Sequence, residues 1–144
     1  MKANECWALF CTDSHIPYTA WQFGAVPNKL ASLVLEGTKQ ATASLHQLYL
    51  DTFEPMPQIG DFSVILNSSD EAVCIIQTTN VQILPFKDVT PEMAMIEGEG
   101  DKSLDYWREV HLEFFQEEAA TIGKTFDEDM LVIFETFKLV FKPQ

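Results

Sequence analysis

The segment EGEGDKSLDYWR, residues 97–108, separates a short predicted helix from a long one. Its first five residues alternate three acidic side chains with two glycines, a pattern that neither a helix nor a strand favours. Glycine inside a regular element costs roughly 0.5–1 kcal/mol relative to alanine, so this spacing indicates a backbone that needs positive φ angles or a close approach. Ser103 is suited to cap the helix that follows. The segment therefore combines carboxylates, glycine backbone and a helix N-terminus that carries Trp107 and Arg108. This combination predicts a functional site.

The elements on either side of this segment predict an α+β fold. Hydrophobic spacing indicates helices at about 3–12, 28–37, 90–97 and 103–121, and strands at 62–66, 72–84 and 130–141. Asn28 and Thr90 are the expected N-caps of the second and third helices, and Gly37 is the expected stop of the second. Residues 38–44 fit a loop or a short strand. The helices interrupt the strands at irregular intervals, which favours a small barrel over a doubly wound sheet.

Length and composition bound the class of protein. The 144 residues, of which 47% are hydrophobic, predict one globular domain. No run of about 18 apolar residues is present, so we expect no membrane span. The N-terminal sequence lacks the basic start and apolar core of a signal peptide. The three cysteines show no CxxC spacing, and we expect reduced thiols in a cytoplasmic protein.

The net charge restricts the partners. Nine basic residues stand against 22 acidic ones, and the formal net charge is −13. Such a surface repels duplex DNA and membranes at long range. A small ligand, or a short single-stranded RNA that reaches a local basic spot, remains compatible with this charge. The acidity also has a simpler interpretation, which is that it keeps the protein soluble.

A second segment, LEGTKQATASL at residues 35–45, resembles the helix–Gly–x–Lys–x–x–Thr signature of ASCH domains, which belong to the PUA-like superfamily. The patterns Pro57-x-x-Gly60-Asp61, Gln77-Thr78-Thr79 and EGEGD-x-SL-x-YWR are similar to those of the same bacterial subfamily. The resemblance covers about residues 20–141, and residues 1–19 are expected to form a helical extension packed on that domain. It implies a small PUA-like β-barrel flanked by helices around a cleft.

The resemblance also implies a function. ASCH domains are associated with RNA or modified nucleosides, some small members hydrolyse N4-acylated cytidines, and others are linked to ribonuclease activity. In the amidohydrolase members a Lys, a Thr three residues later and a Glu form the catalytic set, and these roles fall here on Lys39, Thr42 and Glu97. An Arg is common two positions after that Thr, where this chain has Ser44. The loss of that cation implies a different substrate or a changed fit.

The chemistry of the three residues is compatible with amide hydrolysis. Burial of a lysine favours its neutral form, so Lys39 is a candidate base. The hydroxyl of Thr42 is a poor nucleophile until a base takes its proton. Glu97 would hold the ammonium or carry a proton to the leaving amine. The alternative is structural, with Lys39 as a surface residue paired with a nearby Glu and Thr42 bonded to backbone.

The acidic loop has three competing interpretations. Glu97, Glu99 and Asp101 are possible ligands of Mg²⁺ or Ca²⁺, although they lack the full twelve-residue calcium pattern. They are also suited to line a polar pocket and accept hydrogen bonds from the N–H groups of a base. In the third interpretation the loop is a structural turn, in which Asp101 and Ser103 cap the next helix. We expect no resident metal and no cofactor.

Aromatic and basic side chains complete the candidate binding residues. Trp107 fits either the apolar stripe of its helix or the pocket, and Arg108 is suited to pair with the acidic loop or to hold a phosphate or a base. A satisfied histidine is the simpler interpretation of His111. Trp21 and Phe23 are candidates for stacking on a base, with core packing as the default.

Three functional hypotheses follow from the sequence. The first is recognition of a nucleoside or RNA element in a pocket, in its sharper form the hydrolysis of an N4-acylcytidine amide. The second is a non-catalytic module that binds RNA or a modified base, with Lys29, Lys39, Lys102 and Arg108 as the available cations. The third is a metal-dependent ribonuclease that uses Lys39 and Ser103.

Overall fold

The computed structural model describes residues 1–143, and the fold is built on one curled five-stranded sheet with the order β1-β3-β4-β5-β2. The strands are β1 (Thr19–Gln22), β2 (Ala41–Leu45), β3 (Phe62–Leu66), β4 (Ala72–Pro85) and β5 (Leu131–Phe141). Strand β1 pairs with β3 in parallel, and every other pair is antiparallel. The long β4–β5 pair forms the centre of the sheet, while β1 and β2 are its edges.

Five α-helices flank this sheet within residues 1–143. They are α1 (Ala3–Phe10), α2 (Pro27–Leu35), α3 (His46–Thr52), α4 (Pro91–Glu97) and α5 (Leu104–Thr121). The predicted α+β class, with a small barrel flanked by helices, is therefore confirmed, and the five strands form a curled half-barrel. None of the helices in this range combines the length and apolar character needed to cross a lipid bilayer.

The structure allows a comparison with three of the predicted helix caps. The hydroxyl of Thr90 accepts from the backbone N–H of Met93, and that of Ser103 accepts from Tyr106, as predicted. The prediction for Asn28 is wrong, because the N-cap of α2 is Val26 and Pro27 occupies the first helical position. Proline is common at this position because it has no N–H that needs a partner there. The side chain of Asn28 instead accepts from the backbone N–H of Ser68.

Two short elements were absent from the sequence prediction, and one ambiguous segment is resolved. Residues 41–45 form β2, whose burial alternates from residue to residue. Strand β1 is only four residues long and mostly exposed, and α3 buries none of its side chains completely. Elements that bury so little show weak hydrophobic periodicity, which is the signal that the sequence prediction used.

The hydrophobic core lies between the sheet and helices α4 and α5. It contains Phe86, Trp107 and Phe115, and its β2 wall is made by Ala41, Ala43 and Leu45. The opposite residues of β2 face away from this core. The N-terminal helix α1 packs on β3 and β4 through its own aromatic cluster.

The end of α4 is held directly against the segment that precedes β2. Gly98 ends α4 in the left-handed conformation, with a φ of 77°. A Cβ at this position would overlap the carbonyl oxygen of Thr38 and lie 2.8 Å from its carbonyl carbon. The backbone N–H of Gln40 also donates to the carbonyl of Ile96 over 3.0 Å. This backbone contact places the residue before Gly98, which is Glu97, beside Lys39.

We expect Gly98→Ala to lower the free energy of unfolding by roughly 2 kcal/mol or more, since it combines an unfavourable φ with a backbone clash. Gly123→Ala is the matched control, because Gly123 has a φ of 70° but open space around its Cβ position. Gly123→Ala should lose only the free energy of unfolding that the unfavourable φ costs, about 1 kcal/mol. Urea unfolding of both variants measures the difference, and equal losses would show that the close approach carries no cost.

Candidate functional site

A cavity of about 600 Å³ lies on the side of β2 that faces away from the core. The alternation of β2 buries Ala41, Ala43 and Leu45 in the core and leaves Thr42 and Ser44 half-buried at the cavity. The volume falls in the range of ordinary small-molecule sites. Side chains from all parts of the chain line it, among them Trp21, Phe23, Lys39, Tyr49, Asp61, Thr78, Glu97, Glu99, His111, Phe114, Glu118 and Glu135.

Lys39 lies in the wall of this cavity and is almost completely buried, with 2% of its surface exposed. Its Nζ donates to the carbonyl of Ala41 over 2.8 Å, to Oε2 of Glu99 over 3.0 Å and to Oε2 of Glu97 over 3.4 Å. An ammonium has three N–H donors, and each has a partner here. Nζ also lies 5.2 Å from the ring centroid of Phe23. The alternative of a surface lysine is therefore wrong.

Glu97 connects the other members of the cluster. Its Oε1 accepts from the indole Nε1 of Trp107 over 2.7 Å, and its Oε2 lies 2.9 Å from Nε2 of His111. Only 2% of Glu97 is exposed. A buried carboxylate is costly unless it is paired and hydrogen-bonded, and these contacts with Lys39, Trp107 and His111 meet both conditions.

His111 is held in its doubly protonated form by its neighbours. Nδ1 lies 2.9 Å from the backbone carbonyl oxygen of Trp107, and Nε2 faces the carboxylate of Glu97. A carbonyl and a carboxylate only accept hydrogen bonds, so both ring nitrogens must donate. Burial alone would lower the pKa of His111, but the charge and hydrogen bond of Glu97 outweigh it and raise that pKa.

The two carboxyl groups of the cluster are shifted in opposite directions. Burial opposes ionisation of Glu97, yet the charges of Lys39 and His111 outweigh it and hold the pKa of Glu97 well below its ordinary value. Burial raises the pKa of Glu99, and the proximity of Glu97 adds to this, while Lys39 offsets only part of it. Of the two carboxyl groups, Glu99 therefore accepts a proton more readily than Glu97.

The sequence led us to expect a neutral Lys39 that could act as a base. The expected burial is present, but two carboxylates lie within 3.4 Å of Nζ. Nζ donates a hydrogen bond to each of them. A role for Lys39 as a base therefore requires that one of these groups takes a proton from Nζ.

A second polar region of the cavity lining lies on β4 and β5. Glu135 is 7% exposed, and its Oε2 accepts from the hydroxyl of Thr78 over 3.0 Å. Burial raises the pKa of Glu135. At the edge of β2, the hydroxyl of Tyr49 donates to Oγ of Ser44 over 3.1 Å. Tyr49 thus contacts the side chain of Ser44.

Seven of the eleven predicted site residues line the cavity. These are Trp21, Phe23, Lys39, Thr42, Ser44, Glu97 and Glu99. Sequence reasoning did not select Tyr49, Thr78 and Glu135, and it treated His111 as a structural residue. For Glu135 a signal existed, since it is the one acidic residue in the strand LVIFETFKLVF. An acidic residue in so apolar a strand is unusual enough to indicate a role.

The other four predicted residues lie elsewhere. Asp101 is exposed and accepts from the backbone N–H of Ser103, which itself caps α5. These contacts match the structural-turn interpretation of the loop. Trp107 packs in the core, with its ring centroid 5.3 Å from that of Phe86, and contacts the cluster through its indole N–H and through its ring, which stacks on His111. Arg108 turns away and donates to the carbonyl of Lys87 over 3.2 Å.

The cluster also contains the groups that a metal site would need. Oxygen or nitrogen atoms of Glu97, Glu99 and His111 lie within 4.8 Å of one another. Asp101, the third carboxylate of the predicted metal alternative, is not among them. The ammonium of Lys39 lies 3.4 Å from Glu97 and 3.0 Å from Glu99, so it already supplies the positive charge that an ion would bring.

Comparison with known proteins identifies the family. The family model described as the ASCH domain matches residues 19–141. The chain belongs to the ASCH domain family. The resemblance found in the motifs at residues 35–45 and 97–108 is thereby confirmed. ASCH domains have a PUA-like fold that is associated with RNA binding.

Solved structures agree with this assignment. An ASCH domain from Lactobacillus crispatus JV V101 is 40% identical, with 86% of this chain and 80% of that chain covered and a TM-score of 0.82. Protein EF3133 from Enterococcus faecalis V583 is 33% identical, with coverages of 96% and 88% and a TM-score of 0.86. The hypothetical protein PH0355 is 15% identical with a TM-score of 0.56 and shares the fold alone. No curated protein matches the chain significantly.

We expect His111→Gln to destabilise this ASCH domain by about 2 kcal/mol at pH 6, because a buried charged hydrogen bond is lost. The pKa of His111 is raised in the folded state, so its contribution is complete below the unfolded pKa. The contribution disappears as the pH rises through the folded pKa, and the loss should shrink by pH 9. Urea unfolding at both pH values measures this, with the exposed His15→Gln as control. A loss that does not change with pH would contradict an imidazolium at position 111.

Proposed function

We propose that the cavity of this ASCH domain binds a modified nucleoside and hydrolyses an acyl amide on N4 of its cytosine. The observation that carries this proposal is that Thr42 and the buried cluster of Lys39, Glu97 and Glu99 all line one cavity of about 600 Å³. A nucleophile beside a proton-transfer network is what amide hydrolysis requires. The family resemblance assigns the same residues to that reaction.

The walls of the cavity suit a nucleobase. Trp21 and Phe23 lie on one side, with their ring centroids 5.0 Å apart. Base–aromatic stacking contributes about 1–3 kcal/mol per base. The carboxyl group of Glu99, which is less buried than that of Glu97, is matched to the N–H donors that a base presents. The cavity therefore offers both an apolar face and hydrogen-bond acceptors to a flat, polar ring.

The charge of the lining favours a neutral ligand over a phosphorylated one. Among the described residues that line the cavity, Lys39 is the one lysine or arginine, and two carboxylates already pair with it. Glu54, Asp61 and Glu118 add further acidic groups to the rim and walls. A phosphate in this cavity would be repelled. Lys29, Lys102 and Arg108 do not line it, so an RNA backbone would have to be held outside it.

The proposed reaction proceeds through an acyl-enzyme. Lys39 first passes a proton to Glu99, and its neutral amine then takes the proton of the Thr42 hydroxyl. The oxygen of Thr42 forms a bond with the acyl carbon, the C–N bond breaks, and the leaving N4 amine receives a proton from Lys39. Water then attacks the ester, which releases the carboxylic acid and restores the hydroxyl of Thr42. No oxidant, reductant or metal ion enters this balance.

A non-catalytic binding module is the second candidate, and one observation favours it. The three N–H groups of Lys39 all have partners within the cluster, and His111 is likewise satisfied. Such a network also serves to give a binding pocket a fixed shape. The ribonuclease hypothesis has less support, because Ser103 caps α5 and does not line the cavity with Lys39.

We expect the protein to release cytidine from N4-acetylcytidine, and Thr42→Val to reduce kcat at least about 100-fold, because the attacking oxygen is lost. Lys39→Met should have a similar effect through loss of the base. Chromatographic detection of cytidine measures both. Ser44→Ala is the control on the same strand face and should stay within about threefold of the wild type.

Thermal unfolding of Thr42→Val distinguishes loss of chemistry from loss of fold, since the substitution keeps the shape of the side chain. Full activity in folded Thr42→Val would overturn the nucleophile assignment. Binding of N4-acetylcytidine without release of cytidine by the wild type would favour the binding module.

We expect N4-acetylcytidine to bind at least about tenfold more tightly than its 5′-monophosphate at low salt, because the carboxylates of the lining repel the phosphate. Isothermal titration at 20 mM and 300 mM NaCl measures both ligands. The difference should narrow at high salt, where charges are screened. Tighter binding of the monophosphate would show that a cationic surface, and not this acidic cavity, receives the ligand.

A further inference from the structure

Glu135 is a buried carboxyl group with no part in the cluster around Glu97. It lies in the middle of β5, with β4 on one side and β2 on the other. Only 7% of its surface is exposed, although it lines the cavity. Burial of a carboxyl group is costly without compensation, and among residues 1–143 it has one side-chain partner, the hydroxyl of Thr78 at Oε2.

The second oxygen of Glu135, Oε1, has no hydrogen-bond partner among the residues that the structure describes. Oε1 nevertheless has accessible surface. Among residues 1–143, Nε of Arg108 is the one fully buried side-chain polar atom that lacks a hydrogen-bond partner, so Oε1, which also lacks a partner, is not fully buried. Oε1 therefore borders open space, and the open space beside Glu135 is the cavity. One oxygen is held in place by Thr78 while the other is available to a ligand.

The strand register places this carboxyl next to the proposed nucleophile. Glu135 on β5 is the direct antiparallel partner of Thr42 on β2. Side chains of such a pair project from the same face of the sheet, with Cβ atoms about 4.5–5.5 Å apart. A ligand bound against Thr42 is therefore within reach of Glu135. The cluster of Lys39 and Glu97 borders the same cavity, so the ligand contacts acidic groups from two sides.

We propose that Glu135 determines specificity, with Oε1 accepting a hydrogen bond from an O–H or N–H donor of the bound nucleoside. This inference rests on the proposed function of the cavity and adds the chemical class of the group that is recognised. A carboxylate accepts hydrogen bonds and cannot donate them, so it selects a donor at this point. A ligand with a carbonyl or a phosphate there leaves the carboxylate unpaired or repelled and is rejected.

Two parts of a nucleoside carry such donors, the ribose hydroxyls and the amino or amide N–H of the base. The experiment separates them with three probes: N4-acetylcytidine, its 2′-deoxy analogue and N4-acetylcytosine without the sugar. Each is titrated by calorimetry at pH 8, since burial raises the pKa of Glu135 and the carboxylate form is required. All proteins carry Thr42→Val, so that the probes are not hydrolysed during the titration.

Addition of Glu135→Gln to this background should weaken binding of N4-acetylcytidine about 10–100-fold, the range expected for a hydrogen bond to a charged group. Loss of the effect with the deoxy analogue would assign the contact to the 2′-hydroxyl. Loss of the effect only with N4-acetylcytosine would assign it to another sugar hydroxyl. A full effect with all three probes would assign it to the N–H of the base.

Glu117→Gln is the control, because Glu117 is an exposed acidic residue that does not line the cavity. It should change the affinity of the three probes no more than about threefold. Thr78→Val is the second variant, in case Glu135→Gln does not fold. It removes the group that orients Glu135 and should weaken the same probes in the same order.

The outcomes separate this inference from the function on which it rests. If Thr42→Val with Glu135 intact binds none of the probes, the nucleoside site itself is wrong and the inference falls with it. If that protein binds the probes and Glu135→Gln binds them equally tightly, the inference alone is overturned. Selective weakening by Glu135→Gln supports it.

Discussion

The buried ion pair of Lys39 with Glu97 is the interaction on which the rest of the site depends. Both side chains are 2% exposed, so neither charge has water to stabilise it. Removal of one partner from a buried pair typically costs 3–5 kcal/mol. The close contact of the α4 terminus with residues 38–40 brings the two together. Trp107 and His111 of α5 then satisfy the remaining oxygens of Glu97, so the sheet edge and two helices meet at one carboxylate.

Strand β2 has one face that packs in the core and one face that lines the cavity. The odd-numbered residues of β2 pack in the core, and Thr42 and Ser44 border the cavity. The Glu97 cluster and the Glu135–Thr78 pair both contribute hydrogen-bonded polar groups to the lining of the cavity. Preorganised polar groups of this kind are more effective in a water-poor site than in solution.

The parts of this structure that the sequence predicted are those with strong local signals. The caps at Thr90 and Ser103, the strand at residues 62–66 and the glycine-rich loop each have a physical cause within a few residues. The second half of the cavity has no such local cause. The proximity of Glu135 to Thr42 depends on a strand register that joins residues 93 positions apart, which no local pattern encodes. Arg108 lies outside the cavity, although its neighbour Trp107 contacts the cluster, because neighbouring positions on a helix point in different directions.

The parallel stacking of Trp107 on His111 has an optical consequence. The two rings lie 4.2 Å apart between centroids, with an angle of 14° between their planes, and the indole N–H is bonded to Glu97. An imidazolium in contact with an indole accepts an electron from its excited state and quenches its emission. We therefore expect the emission of Trp107, one of three tryptophans in the chain, to depend on the charge of His111.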